Sequence, residues 1–419
     1  MNDPQLECPK LPASSDQKRR ILVVCNDGDY FLRHRLFVVS RLVSIGHDVA
    51  VLAGGTPLRA DLVKGWRYQH VRVERFRFAP LGDLALMWRS IRVINDFKPD
   101  AIHLITLKPA VFAGLSSMLG RALWRYPQNI LITLPGLGRM LTWPNARAGR
   151  RYQLATALTL LALRLIAKAG RAQFSFETRR DYEFFEKRGI VSAKNGTVIE
   201  GAGVDPGQFY PTTAPARRVK RVLFAGRLLK SKGLGVFLAA AEKLAARSDV
   251  EFLVAGMSDN GDRDAFCPNQ LARVDCIRFL GQVEDMPNLL RDCDIVCLPT
   301  KYGEGIPRIL IEGAATGLAS IASNHPGCRA IIIENETGQI LHGRSDADLI
   351  RELSAAIQKY LDTPELLDRH KFAAYGHFRS RNFGQDDVAA DFSRLLGAAV
   401  PPRAIDAHSR TREAFEGGS

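Results

Sequence analysis

Arg20-Ile-Leu-Val-Val-Cys25 runs directly into Asn26-Asp27-Gly28-Asp29. A short apolar run rich in β-branched residues, stopped by turn formers, reads as a buried strand entering a loop. Leu32, Leu36, Val39, Leu42 and Val43 then recur at helical spacing as far as Gly46. His47-Asp48-Val-Ala-Val-Leu52 reads as a second strand that ends at Gly54-Gly55. Strand, helix and strand within about 30 residues make a βαβ unit, which requires a parallel sheet.

The rhythm continues outward from there. Asp100–Ile105, Asn129–Leu134, Gln173–Phe176 and Val198-Ile199 read as strands, with helices predicted over Pro109–Leu119 and Ala148–Lys168. It restarts later with strands at Arg221–Ala225, Val250–Ala255, Ile277–Leu280, Ile295–Leu298, Ser320–Ser323 and Gly338–Leu341, and a helix over Gly233–Ala246. Between the two series, Pro206–Lys220 holds three prolines and few large apolar residues, as a linker would. The expected class is α/β, with two doubly wound, Rossmann-like domains. The expected limits are a mobile N-terminus over 1–18, a first domain over 19–205, a linker over 206–220 and a second domain over 221–382. A C-terminal helix over 383–400 is expected to pack back on the first domain, followed by a mobile tail over 401–419.

The chain has 419 residues, 46% of them hydrophobic and 24% charged, which excludes a mostly disordered chain, a collagen-like repeat and a polytopic membrane protein. Lys and Arg number 58 against 44 acids, a formal net charge of +14, so an anionic partner is expected: nucleic acid, a phosphorylated small molecule or an acidic membrane. No secretory signal is visible in the first 18 residues. The longest apolar run, Leu154–Leu163, stops at Arg164, short of the roughly 18 residues a spanning helix needs. Seven scattered cysteines without a CxxC pair argue against a disulfide framework or a zinc site and for reduced thiols in the cytosol.

Four loops at the carboxyl ends of second-half strands carry candidate chemistry, because ligands of open parallel sheets bind at that edge. Gly226-Arg227-Leu-Leu-Lys230-Ser-Lys232-Gly233 puts two cations beside a helix start, a site suited to a diphosphate. A solvated basic turn has the same pattern. Gly303-Glu304-Gly305-Ile306-Pro307-Arg308-Ile-Leu-Ile-Glu312 places Glu304 in a loop and Glu312 well inside the helix that Pro307 opens. Eight residues of helix rise about 12 Å, beyond the roughly 5–9.5 Å of a glycosidase pair. Two acids contacting different parts of one elongated ligand fit better. Gly281-Gln282-Val283-Glu284-Asp285-Met286-Pro287 offers backbone groups to a planar base, or is an ordinary loop. His325, between Asn324 and Pro326, reads as a turn histidine.

In combination these blocks resemble the family 4 glycosyltransferases, which have the GT-B architecture of two facing Rossmann-like domains with a cleft between them. The resemblance rests on Gly226-Arg227-Leu228 with Lys232-Gly233, on Glu304 and Glu312 with seven residues between them, and on Asp294–Pro299 just before, and covers most of 195–345. Phe31–Leu36, His103 with Lys108-Pro109, Gly136-Leu137-Gly138 and Gly201–Asp205 further resemble bacterial enzymes that extend polyprenyl-diphosphate-linked sugars for surface polysaccharides and glycans.

The resemblance implies transfer of a hexose or N-acetylhexosamine, with retention, from a nucleotide diphosphate sugar such as a UDP-sugar to a lipid-linked or oligosaccharide acceptor. Arg227 and Lys232 would neutralise the leaving diphosphate in place of a metal, Glu304 would meet donor-sugar hydroxyls and Glu312 the ribose. Gly28, Gly226, Val283, Gly305, Ile306 and Pro307 would line the donor site. Some relatives carry a His where Pro135 stands here, so His34, His103, Gly136 and Gly138 are the candidates for acceptor or sugar contacts.

No metal or other cofactor is expected; Asp292-Cys-Asp294 and Asp346-Ala-Asp348 read as helix-end and surface carboxylates. A sugar-nucleotide epimerase of the same architecture is an alternative, as is a non-catalytic protein binding anionic membrane or nucleic acid. Against the latter, no nucleic-acid module is recognisable, and nucleic acid is not expected as a partner. Arg147, Arg150, Arg151, Arg164, Lys168 and Arg171 share an arc of about 160° on the helix predicted near 146–172. A peripheral helix on an anionic membrane has this pattern, as does a buried helix with charged ends. The expected location is cytoplasmic, at the inner face of the membrane.

Overall fold

The computed structural model describes residues 18–73, 80–124, 129–136, 141, 150–169, 172–212, 217–258, 264–302 and 305–398. These residues form two compact units, one reaching Gly203 and taking in the helix Gln385–Leu395, the other running from Val204 to Gly384.

The described residues of the first unit form a seven-stranded sheet of β1 (Arg20–Cys25), β2 (Asp48–Ala53), β3 (Arg67–His70), β4 (Ala101–Ile105), β5 (Asn129–Leu134), β6 (Ala172–Phe176) and β7 (Gly196–Val198). The order is β3-β2-β1-β4-β5-β6-β7, and every pairing is parallel. Both faces are covered, which is why β1, β4 and β5 are near-continuous apolar runs. One face packs on the helices Pro80–Phe97, Leu107–Trp124, Arg150–Lys168 and Arg179–Glu186 through Leu86, Ile94, Ala113, Ile166 and Phe185. The other packs on Gly28–His34, Leu36–Ser44 and Gln385–Leu395 through Phe31, Val39, Leu42, Val388 and Phe392.

The single helix expected between β1 and β2 is two. Arg35 leaves the helical region at φ −140°, and its side chain turns inward to donate to Glu177 at 3.0 Å while lying over the Phe392 ring. Each guanidinium and carboxylate here is buried, so the pair holds only because its two halves compensate each other.

The second unit has six parallel strands among its described residues: β8 (Lys220–Ala225), β9 (Val250–Ala255), β10 (Arg278–Gly281), β11 (Ile295–Leu298), β12 (Ala319–Ser323) and β13 (Gly338–Leu341), in the order β10-β9-β8-β11-β12-β13. One apolar core joins this sheet to its helices. Phe209, inside the stretch read as a linker, is buried in that core, so the division of the chain falls earlier, at Gly203-Val204. Each sheet reverses its strand order once, between β1 and β4 and between β8 and β11. In such sheets that is where the carboxyl ends splay and leave a crevice.

Candidate functional site

At the β8/β11 crevice of the second unit, Gly226 N–H donates to Ala255 O and Gly256 N–H to Gly281 O, tying together the loop starts after β8, β9 and β10. The turn after β8 is held on both sides. The N–H groups of Lys230 and Ser231 donate to the backbone oxygen and carboxylate of Asp264, and Lys301 N–H donates to Ser231 O. Gly233 ends the turn in the left-handed region at φ +82°, and a Cβ there would stand 1.9 Å from Pro299 O. Only glycine lets this turn press against the end of β11 before the helix Leu234–Lys243 begins.

That contact decides where the cations go. Arg227 Nη2 donates to Tyr302 Oη at 3.2 Å, and Lys232 Nζ lies 5.5 Å from the centroid of the Tyr302 ring. Two half-buried cations from the β8 loop thus meet one aromatic side chain from the β11 loop. A site with fixed positive charge and pinned backbone suits a diphosphate.

Downstream, Gly305, Ile306 and Pro307 are buried, and Pro307 stands immediately before the helix Arg308–Ala315. Glu312 is buried on that helix, and burial pushes its carboxyl up against the opposing pull of Arg308. Arg308 Nε donates to Glu312 Oε1 at 2.6 Å, so the residue four positions back orients the carboxylate. Val283 is half-buried against the second core, at the start of the loop that Asp285 closes by capping Met286–Arg291. Glu304 lies outside the described residues, as does Gly138. Among the described residues no group of three His, Cys, Asp or Glu could hold a metal ion.

In the first unit, Asp27 caps the helix Gly28–His34, and Gly28 N–H donates to Gly54 O at 2.8 Å. A Cβ on Gly28 would meet Leu58 Cδ2 at 2.9 Å and Thr56 O at 3.0 Å, so the chain's own β2 loop already requires glycine there. Across the β1/β4 crevice, Thr106 Oγ1 donates to Asn26 Oδ1 at 2.7 Å from a backbone at φ +76°. A β-branched residue in that region is strained and is held by its surroundings.

His34 is half-buried and stacks on Tyr30 at 4.5 Å. His103 lies inside the unit at 1% exposure, its Nε2 2.7 Å from Thr133 Oγ1, which in turn lies 2.7 Å from Ser175 Oγ. Burial, with Arg35 nearby, pushes the His103 ring down to about 3, so it is neutral. Gly136 is half-buried just past β5.

The sequence reading missed Tyr302, Asp264, Arg308 and the Arg35–Glu177 pair as site-shaping residues. For Tyr302 the available signal was an aromatic residue two positions before Glu304, in the loop that follows the strand Ile295–Leu298.

Residues 20–162 match the family "Glycosyl transferase 4-like" and residues 219–362 the family "Glycosyl transferases group 1", more than half of the chain together. A phosphatidyl-myo-inositol mannosyltransferase of Mycolicibacterium smegmatis is 31% identical over 208 residues, 48% of this chain and 52% of that protein. The chain thus spans about half the length of the mannosyltransferases it matches. The N,N'-diacetylbacillosaminyl-diphospho-undecaprenol alpha-1,3-N-acetylgalactosaminyltransferase of Campylobacter jejuni is 26% identical over 363 residues, 84% of this chain and 85% of that one. Anabaena HepE, solved in complex with UDP and glucose, superposes with a TM-score of 0.70 at 16% identity, over 91% of this chain and all of that one. With two Rossmann-like halves, each matched by a glycosyltransferase family, the chain belongs to the family 4 glycosyltransferases of GT-B fold.

Proposed function

We propose that the protein transfers a hexose or N-acetylhexosamine, with retention at the anomeric carbon, from a nucleotide diphosphate sugar to a lipid-linked glycan acceptor. The observation that carries this reading is the convergence of Arg227 and Lys232 on Tyr302 at the β8/β11 crevice. As the bond from the anomeric carbon to the diphosphate breaks, negative charge builds on the leaving oxygens. Two cations already in place stabilise that charge without reorganising. Glu304 would accept from donor-sugar hydroxyls, and Glu312, oriented by Arg308, from the ribose. Buried backbone at Gly305–Pro307 would approach the sugar and phosphate.

UDP is the nucleotide favoured by likeness to HepE, which was solved with UDP. A lipid-borne acceptor is favoured by the names of two relatives, one acting on phosphatidyl-myo-inositol and one on a diphospho-undecaprenol-linked sugar. UDP at 100 times its dissociation constant raises stability by about 2.7 kcal/mol, so a rise in melting temperature with UDP is expected. Unchanged melting with every common nucleoside diphosphate would sink the donor site. Metal-independence belongs to the proposal: transfer is expected to survive EDTA unchanged, and loss of transfer restored by a divalent ion would refute it.

The site of action proposed is the inner face of the cytoplasmic membrane. Among the described residues no helix is long and apolar enough to cross a membrane. The helix Arg150–Lys168 instead exposes Leu154, Leu158, Leu161 and Leu165 by 47–60%, within an arc of about 60°. Arg150, Arg164 and Lys168 are exposed alongside them, while Leu163 and Ile166 enter the core. Apolar side chains flanked by cations suit an anionic bilayer surface.

A further inference from the structure

A hollow of about 470 Å³ in the first unit is lined by His70, Val71, Arg72, Ala85, Trp88, Arg89 and Arg92. His70, Val71 and Arg72 are the carboxyl end of β3 and the two residues after it. Ala85, Trp88, Arg89 and Arg92 come from Pro80–Phe97 at the spacing that puts them on one helix face. The opposite face of that helix carries Leu86, Val93, Ile94 and Phe97 into the core, so the hollow faces outward from a fixed scaffold. The small side chain of Ala85 leaves it open, and Gly55 O, 2.8 Å from His70 Nε2, fixes the imidazole at its edge.

Arg72, Arg89 and Arg92 are exposed, and none is in an ion pair with a described residue. Other arginines of this unit do have acidic partners: Arg35 has Glu177, Arg67 has Asp48 and Arg59 has Asp61. Three guanidiniums around one hollow repel each other, and each offers a planar fork of donors that matches phosphate oxygens. The rim beside them is apolar. Trp88 is 62% exposed, and Leu84, one turn earlier, is 45% exposed. A free nucleotide would leave that rim in water, whereas a phosphate attached to a hydrocarbon chain would use both parts. The volume lies within the roughly 300–1,000 Å³ of small-molecule sites.

We infer that this hollow binds a phosphate or diphosphate borne by a lipid, with Arg72, Arg89 and Arg92 on the phosphate and Trp88 and Leu84 along the chain. The inference rests on the reading that the acceptor is lipid-linked. The same chemistry has two sources, an acceptor's diphosphate and the headgroups of an anionic bilayer.

The test uses the full chain with farnesyl diphosphate, inorganic diphosphate, and vesicles of phosphatidylcholine with phosphatidylglycerol. Farnesyl diphosphate is expected to bind at least about tenfold tighter than inorganic diphosphate, and R72Q/R89Q/R92Q to weaken it by about tenfold or more. W88A is expected to bring the affinity for farnesyl diphosphate down toward that for inorganic diphosphate. Loss of farnesyl diphosphate binding with vesicle binding kept assigns the hollow to an acceptor's diphosphate. Loss of vesicle binding alone assigns it to headgroups. Equal binding of farnesyl diphosphate and of vesicles by wild type and the triple variant overturns the inference, as does inorganic diphosphate binding as tightly as farnesyl diphosphate. UDP-induced stabilisation is expected to be the same in all these variants, which also checks their folding. A failure of UDP to stabilise wild type would refute the donor site without touching this result.

Discussion

Lys232 reaches the face of the Tyr302 ring, 5.5 Å from its centroid, across the crevice where the second sheet reverses its strand order. The ring therefore fixes one cation by its face while its hydroxyl accepts from Arg227. If these cations hold the leaving diphosphate, K232A and R227A each lose at least about 10²-fold in kcat/KM, with melting unchanged. Y302F keeps the ring and removes only one acceptor, so a loss of about 3- to 10-fold is expected, and Y302A falls in between. Initial rates with a nucleotide sugar decide this; wild-type turnover by K232A refutes the assignment.

Gly233 and Gly281 separate two costs of a side chain in a left-handed turn. Both have positive φ, +82° and +64°, but Gly233 has Pro299 O in the way of a Cβ and Gly281 has nothing within 4 Å. G281A is expected to cost about 1–2 kcal/mol, the conformational penalty alone. G233A adds a clash with backbone that cannot swing aside, and is expected to lower the melting temperature far more or to prevent folding. Thermal melts of the two variants side by side test this; equal losses would contradict it.

Stability should depend on pH through two buried groups of opposite sign. His103 is pushed down to about 3 in the folded chain, so on acidification the unfolded chain takes up its proton first. The stability it supports is whole above about pH 6.5 and is lost as pH falls toward 3, by up to about 1.4 kcal/mol per unit. Asp181 is pushed up to about 6 by burial, so its folded form binds a proton first and its penalty, present above pH 6, fades as pH falls. Denaturation midpoints are expected to show H103Q losing less stability than wild type between about pH 6 and 4. D181N should be stabilised at neutral pH and not at pH 4. A wild-type slope in H103Q would remove His103 from the account.

The exposed leucines of Arg150–Lys168 contribute little to folding, so L158S/L161S is expected to shift stability by no more than about 0.5 kcal/mol. Co-sedimentation with anionic vesicles should fall several-fold in that variant. R164Q/K168Q should instead flatten the salt dependence of pelleting. Undiminished pelleting in both variants would place membrane contact elsewhere.

Much of the fold was legible in the sequence because parallel strands buried on both faces leave a plain apolar signature. Asn129–Leu134, Val250–Ala255, Ile295–Leu298 and Gly338–Leu341 were read to the residue. β3 was not, because Arg67-Tyr-Gln-His70 has no apolar pattern and is a strand only through its pairing with β2 at the sheet edge. The break at Arg35 was equally hidden, since an arginine on a helical repeat gives no sign that Glu177, far along the chain, will draw it inside. At the site, the Gly226–Gly233 turn was readable from local turn chemistry. Tyr302, Asp264 and Arg308 act through contacts that only tertiary structure or the helical repeat brings about.

The first unit closes only when the helix Gln385–Leu395 lays Val388, Phe392 and Leu395 on the face shared by Phe31, Val39 and Leu42. That unit is thus discontinuous in sequence, interrupted by the whole of the second. During synthesis residues 204–384 can complete their own core, while the earlier-made half still waits with an apolar face uncovered. Order of synthesis and order of completion are reversed in this chain. That helix acts as a checkpoint, since a chain released before it carries a second unit that can fold and a first unit left open.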